Sequence, residues 1–89
     1  MRFAWDPGKA RTNRLKHGVS FAEAATTFLD PLALLLADDL HPERGILIGL
    51  SEAARLLFTV YIEVHDDLIR IISARRSTSR ERRRYEEGA

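Results

Sequence analysis

Apolar and polar residues alternate with a period of two in the second half of the chain, which predicts consecutive β-strands. The clearest runs are Gly45–Ser51, Arg55–Val64 and Leu68–Arg76. The last two are separated only by the tight turn 65–67, and strands joined by short turns pair antiparallel. A short apolar run at 32–37 is expected to add a fourth strand. The pattern therefore predicts a meander of three to four strands.

Helical spacing and capping signals predict two helices before this meander. Asp6, followed by proline, has the features of an N-cap, and the first helix is expected to run to about His17. A second helix, about residues 20–29, begins with the capping-box residues Ser20 and Glu23. We expect both helices to pack on one face of the sheet, because each carries only a narrow apolar stripe.

The two ends of the chain complete the predicted fold. Phe3 and Trp5 alternate with polar or small residues, which indicates a short N-terminal strand. Thr78 and Glu81 form a second capping box, opening a C-terminal helix that runs to about Glu87. The 89 residues are enough for one domain only. The predicted fold class is α+β, with an antiparallel sheet.

Composition excludes several classes of protein. The chain has no cysteine, so we expect neither disulfides nor thiolate metal sites, and a reducing cytoplasm is the expected location. No signal peptide and no apolar run of membrane-spanning length is present in the sequence. His17, His41 and His65 have no metal-ligand spacing. We therefore predict neither a metal nor a cofactor.

Charge is distributed unevenly along the chain despite a net charge of only +1. Residues 1–17 carry five basic side chains and one carboxylate, residues 18–69 carry two and nine, and residues 70–89 carry seven and three. This layout suggests one surface for a polyanion and another for a basic partner. The alternative is that the unlike segments neutralise each other in the fold.

The candidate chemistry is cationic. Arginines can neutralise a phosphodiester and stabilise charge that develops on its oxygens, while a histidine or tyrosine can move the proton of a 2′-hydroxyl. The candidates for these roles are Arg55, Arg70, Arg75, Arg76, Lys9, Arg14 and Lys16, with His17 and Tyr85 as the proton carriers. The same set would equally suit plain phosphate binding, in which no bond is broken.

Several of the arginines could instead have a purely structural role, with no part in binding or catalysis. Arg70 could pair across strands with a carboxylate such as Glu63. Arg80 and Arg83 could belong to a solvated helix face. Arg75 and Arg76 end a strand side by side, so their side chains should point to opposite faces of the sheet.

Several separated blocks of the sequence resemble the BrnT toxin family, and together they cover nearly the whole chain. The blocks are Phe3-x-Trp5-Asp6-Pro7-x-Lys9, Asn13-x-x-Lys16-His17-Gly18-Val19-Ser20-Phe21, Glu43-Arg44, Ile48-Gly49-x-Ser51, Ile69-Arg70-Ile71-Ile72-Ser73-Ala74-Arg75, Glu81 and Tyr85-Glu86. The departures are small: Ala54 stands where the family usually has glycine, and Ala4 where an acidic residue is common.

The resemblance implies a RelE-like fold and the toxin half of a type II toxin–antitoxin pair, with ribonucleolytic activity that shuts down translation. The implied partner is a BrnA-type ribbon-helix-helix antitoxin, with operator DNA bound only through the antitoxin complex. Candidate active-site residues carried over from the family are Lys16, His17, Arg55, Arg70, Arg75 and Tyr85. We expect further RNA contacts from Lys9, Arg14, Arg76, Arg80 and Arg83.

Overall fold

A computed structural model of the chain describes residues 1–88, which form a five-stranded sheet and three α-helices. The elements follow one another as β1 (Arg2–Ala4), α1 (Pro7–His17), α2 (Phe21–Thr26), a 3₁₀ turn (Thr27–Leu29), β2 (Leu34–Ala37), β3 (Gly45–Leu50), β4 (Leu56–His65), β5 (Leu68–Arg76) and α3 (Ser79–Glu87). The predicted strands and helices are all present, with ends within a few residues of those expected. No helix among residues 1–88 is long and apolar enough to cross a membrane.

The sheet is mixed, and the prediction of an antiparallel sheet is wrong for its first strand. The strand order is β1-β5-β4-β3-β2, and β2 to β5 form the predicted antiparallel meander. β1 instead pairs parallel to β5, with Phe3 opposite Ile69. No short turn connects β1 to its neighbour, and period-two alternation carries no information about strand direction. The sequence pattern therefore could not determine it.

The core lies between the sheet and the first two helices. It consists of Val19, Phe21, Ala24, Leu57, Ile71 and Ala74, all at most 1% exposed. Both Ile71 and Ala74 reach this cluster because a β-bulge lies between them: Ile71 is opposite Tyr61, but Ser73 is opposite the adjacent Val60. The bulge shifts the side-chain alternation by one residue at Ile72.

The bulge decides where the two terminal arginines of β5 point. Arg76 lies opposite Leu57, a core residue, and therefore shares the face that α1 and α2 cover. Arg75 lies opposite Phe58 on the other face, where α3 begins. The structure confirms that the two side chains point to opposite faces of the sheet. The bulge decides which face each one takes, and the sequence pattern does not predict the bulge.

The caps predicted for the helices are present, with one difference. Asp6 caps α1, and Thr78 and Glu81 form a complete capping box at α3. At α2, the Ser20 hydroxyl accepts from the Glu23 N–H as expected, but the Glu23 carboxylate does not return to the cap. It binds Arg55 and Ser51 instead, so the predicted capping box is only half formed.

Candidate active site

Most of the candidate residues meet at one end of the sheet, which we call the arginine end. It comprises the end of α1, the β3–β4 turn (residues 51–55), the end of β5 and the start of α3. The Arg55 Nη2 donates to the Gly18 carbonyl at 3.1 Å, which joins the turn to α1. The Ser77 N–H donates to the Leu56 carbonyl at 2.9 Å, which joins the end of β5 to β4.

Arg55 is held in place by Glu23. Its Nε lies 2.9 Å from Glu23 Oε2, its Nη2 bonds the other carboxylate oxygen, and the Ser51 hydroxyl donates to Oε2 at 2.7 Å. These hydrogen bonds, led by that from Arg55, lower the pKa of the Glu23 carboxyl although burial opposes them. Among residues 1–88, the Nη1 group of Arg55 donates no hydrogen bond, and 29% of the side chain is exposed.

Arg75 makes an equivalent pair on the other face of the sheet. Its Nη1 and Nη2 lie 2.9 and 2.8 Å from the two Glu81 oxygens, and its guanidinium carbon lies 4.0 Å from the centre of the Phe58 ring. Burial alone would raise the pKa of Glu81, but hydrogen bonds from Arg75 and Thr78 outweigh it and the pKa is lowered. Arg75 thereby fixes the first turn of α3 to the sheet.

Tyr85 anchors the second turn of the same helix. Its hydroxyl donates to Asp30 Oδ2 at 2.6 Å, and the same oxygen accepts the Leu50 N–H at 2.8 Å. Burial, and then the neighbouring Asp30 carboxylate, raise the pKa of Tyr85 to about 12. The Tyr85 hydroxyl is therefore protonated at neutral pH and already hydrogen-bonded to Asp30. This favours a structural role for Tyr85, as the residue that anchors α3.

A cleft of about 510 Å³ runs between α1 and the edge of β5, beyond the point where β1 ends. Lys9, Thr12 and Lys16 line it from one face of α1, with His17 at the end of the helix and Ser73 across the cleft. His17 is half-buried, whereas both lysines are exposed. The cleft therefore combines two ammonium groups with the imidazole nearest to Arg55.

Asn13 holds this cleft together. Its side chain is buried, with the amide oxygen accepting the Ala74 N–H at 3.1 Å and the amide nitrogen donating to the Ala74 carbonyl at 2.8 Å. A further bond of 3.0 Å reaches the Val19 carbonyl. Asn13 thus satisfies the backbone of β5 where β1 no longer pairs with it.

The other predicted residues are not all gathered at the arginine end. Arg70 lies five residues before Arg75, about 16 Å along an extended strand, opposite Ile62 rather than the Glu63 considered as its partner. Among residues 1–88, no carboxylate lies within ion-pair distance of Arg70. Arg14, Arg80 and Arg83 are exposed on the helices, whereas Arg76 is close enough to Glu23 to help lower its pKa.

Sequence reasoning missed the residues that position the cations. Glu23 matched a capping pattern, which concealed its role as the partner of Arg55. Asp30 matched a helix-ending Asp-Pro signal, and nothing local indicated that it bonds Tyr85, 55 residues away. Asn13 could have been suspected, because an amide on the sheet-facing side of a helix must be satisfied by hydrogen bonds.

A protein-family model described as "Ribonuclease toxin, BrnT, of type II toxin-antitoxin system" matches residues 5–81. This chain belongs to the BrnT family. The crystal structure of the Brucella abortus ribonuclease toxin BrnT is similar, with a TM-score of 0.73 and 23% identity over 89% of this chain and 99% of that one. At that identity the match confirms the fold alone. No curated protein sequence matches the chain. Membership of a type II toxin–antitoxin family implies that BrnT-family proteins have an antitoxin partner.

Among residues 1–88, no three His, Asp or Glu side chains come together as a metal site would require. The cleft carries Lys9 and Lys16, and the arginine end carries Arg55, Arg75 and Arg76.

Proposed function

We propose that this BrnT-family chain is an endoribonuclease toxin that cleaves RNA through the 2′-hydroxyl without a metal ion, and so inhibits translation. The observation that carries the proposal is that Lys16 and His17 both line the cleft and directly precede Gly18, whose carbonyl accepts a hydrogen bond from Arg55. Such a reaction can use an imidazole to move protons, and an ammonium and a guanidinium group to bind the phosphate oxygens.

In the proposed reaction, the 2′-oxygen attacks phosphorus and the bond from phosphorus to the 5′-oxygen breaks. Either His17 takes the proton of the 2′-hydroxyl and water protonates the departing 5′-oxygen, or protonated His17 supplies that proton and water takes the one from the 2′-hydroxyl. Lys16 and the Nη1 group of Arg55 bind the non-bridging oxygens, on which charge develops. The products are a 2′,3′-cyclic phosphate and a free 5′-hydroxyl.

The remaining candidates receive different roles in this proposal. Glu23 orients Arg55, because its carboxylate leaves only one edge of the guanidinium accessible. Arg75 and Tyr85 position α3, since both are already bonded to carboxylates. Arg70 lies about 16 Å along β5 from the arginine end, so we assign it to RNA contacts elsewhere. The other proposed RNA contacts are Lys9, Arg14, Arg76, Arg80 and Arg83.

The proposal extends to the partner and the setting. A BrnA-type ribbon-helix-helix antitoxin would neutralise the toxin in the cytoplasm, and operator DNA would be bound only by the complex. The RelE-like fold that the sequence resemblance implies also belongs to this proposal, supported by the α+β layout with a four-stranded meander.

The test uses two histidine variants and end-labelled RNA. His17→Ala should lower the cleavage rate by about 100-fold or more, since general acid–base groups contribute about 10²–10⁴-fold. His65→Ala is the matched control, because His65 is exposed near the opposite end of β4, and should cleave at the wild-type rate. Wild-type rates in both variants would remove His17 from the reaction.

A second candidate function is phosphate binding without cleavage. Four arginines on α3 are exposed, Arg80, Arg82, Arg83 and Arg84, and a basic helix face of this kind binds nucleic acid without chemistry. This alternative predicts binding to RNA that weakens steeply with salt and yields no fragments, with or without ribosomes.

A further inference from the structure

Exposed leucines are concentrated around strand β2, at the edge of the sheet farthest from the cleft. Leu29, Leu32, Leu35 and Leu40 are 84%, 72%, 64% and 86% exposed. β2 pairs with β3 on one side only, and its sequence Leu-Leu-Leu-Ala contains neither proline nor charge. Sheet edges in proteins are usually protected by such residues, so an edge left apolar is a surface on which another strand can pair.

Two grooves reach this edge. One, of about 300 Å³, begins beside Leu35 and runs across the face of the sheet, past Leu47 and Tyr61, to Ile69 of β5. The other, of about 290 Å³, lies between Pro31, which precedes β2, and the end of β3, where Leu29 and Leu50 form apolar walls beside the Glu52 carboxylate. An added strand would place alternate side chains on the face of Leu35, where the first groove opens at the edge of the sheet.

Charge around the edge is mainly acidic, with Arg44 just before β3 as the one nearby lysine or arginine of the β2–β3 connection. Residues 29–43 contain Asp30, Asp38, Asp39 and Glu43 and no lysine or arginine. This is the centre of the acidic middle segment, and the grooves combine apolar walls with carboxylates. A long basic side chain fits such a groove, because its stem packs on leucine while its charged end reaches a carboxylate.

We propose that β2 is the docking edge for an extended, basic segment of a protein partner, which pairs with β2 as a sixth strand. Backbone hydrogen bonds to the open edge would supply affinity, and the two grooves would supply specificity. This inference rests on the proposed function in one respect, because the partner is the antitoxin only if the chain is a toxin. β2 and β5 are three strand spacings apart, about 14 Å, so docking at β2 leaves the His17 cleft uncovered unless the partner continues beyond the edge.

The test compares two leucine variants for binding to the product of the reading frame adjacent to this chain's own. Leu35→Arg places a positive charge in the proposed interface. Leu15→Arg makes the same change on α1, where Leu15 is 83% exposed, and is the matched control. Leu35→Arg should weaken binding at least about tenfold, or about 1.4 kcal/mol, and Leu15→Arg should bind like wild type. Hydrogen exchange should show new protection of residues 34–37 in the complex.

Each outcome decides the proposal. Equal binding by both variants, or protection that leaves residues 34–37 unchanged, overturns the docking edge. A wild-type chain that does not bind the neighbouring product overturns the docking edge and the partner together. If sedimentation shows a dimer of the free chain that Leu35→Arg dissociates, the edge belongs to a second copy and the proposal is also overturned. RNA cleavage by the same variants reports separately on the nuclease, and Leu35→Arg should cleave RNA at the wild-type rate.

Discussion

At the scale of single residues, Ala54 occupies a backbone conformation that favours glycine. Its φ is 60°, in the left-handed region, and it closes the β3–β4 turn whose next residue is Arg55. A side chain at such a φ costs about 1–2 kcal/mol, which glycine avoids. The strained residue is therefore the immediate neighbour of Arg55, whose position the proposed site depends on.

Ala54→Gly should stabilise the protein. Relief of the left-handed conformation exceeds the entropy cost of a glycine, which leaves a gain of up to about 1 kcal/mol in the free energy of unfolding. Ala53→Gly is the control: its φ is not positive, so it should lower stability by about 0.5–1 kcal/mol. Urea denaturation of both variants measures the two signs, and a destabilised Ala54→Gly would show that the turn gains nothing from glycine.

At the scale of elements, α3 depends on two polar attachments because it contributes almost no apolar surface. Arg75–Glu81 holds its first turn, and Tyr85–Asp30 holds its last. On the α3 side of the sheet, Ile48 and Leu56 are at most 2% exposed. A helix this polar is otherwise marginal in water.

Tyr85→Phe should destabilise the protein by about 1–2 kcal/mol at neutral pH, since Asp30 loses a hydrogen bond. In the wild type the pKa of Tyr85 is raised to about 12, so its contribution is complete below the ordinary tyrosine pKa of about 10 and disappears as the pH rises from there to 12. The stability difference between wild type and variant should therefore shrink over that interval. A difference that stays constant with pH would contradict the assigned hydrogen bond.

Tyr61→Phe is the control for the measurement at neutral pH. Within residues 1–88 the Tyr61 hydroxyl has no hydrogen-bond partner, and its removal should leave the free energy of unfolding nearly unchanged.

The helix ends could be predicted from the sequence, whereas the direction of β1 and the bulge in β5 could not. Helix ends were predictable because Asp6, Thr78 and the glycines after α1 and α3 act locally, through their own side chains or backbone. The direction of β1 and the bulge at Ile72 were not, since both depend on strands distant in sequence. The cationic candidates were visible as residue types, but their carboxylate partners Glu23 and Asp30 are set by tertiary contacts.

At the scale of the whole molecule, the uneven charge of the chain persists in the fold. Arg2–Asp67 is the one ion pair among residues 1–88 that joins the basic N-terminal segment to the acidic middle. Arg55–Glu23 lies within the middle segment, and Arg75–Glu81 within the last. Direct pairing therefore neutralises little of the asymmetry, which leaves a basic cleft at one edge of the sheet and an acidic, apolar edge at the other. This separation supports two functional surfaces.

The proposed cleavage of RNA through its own 2′-hydroxyl, by side chains alone, can be tested in one experiment. The purified chain, freed of antitoxin, is incubated with end-labelled RNA in excess EDTA, with and without translating ribosomes, and the fragment ends are identified. We expect fragments that end in a 2′,3′-cyclic phosphate and begin with a 5′-hydroxyl. RNA that stays intact in both tubes, or fragments that appear only when a divalent metal is restored and begin with a 5′-phosphate, would overturn the proposal.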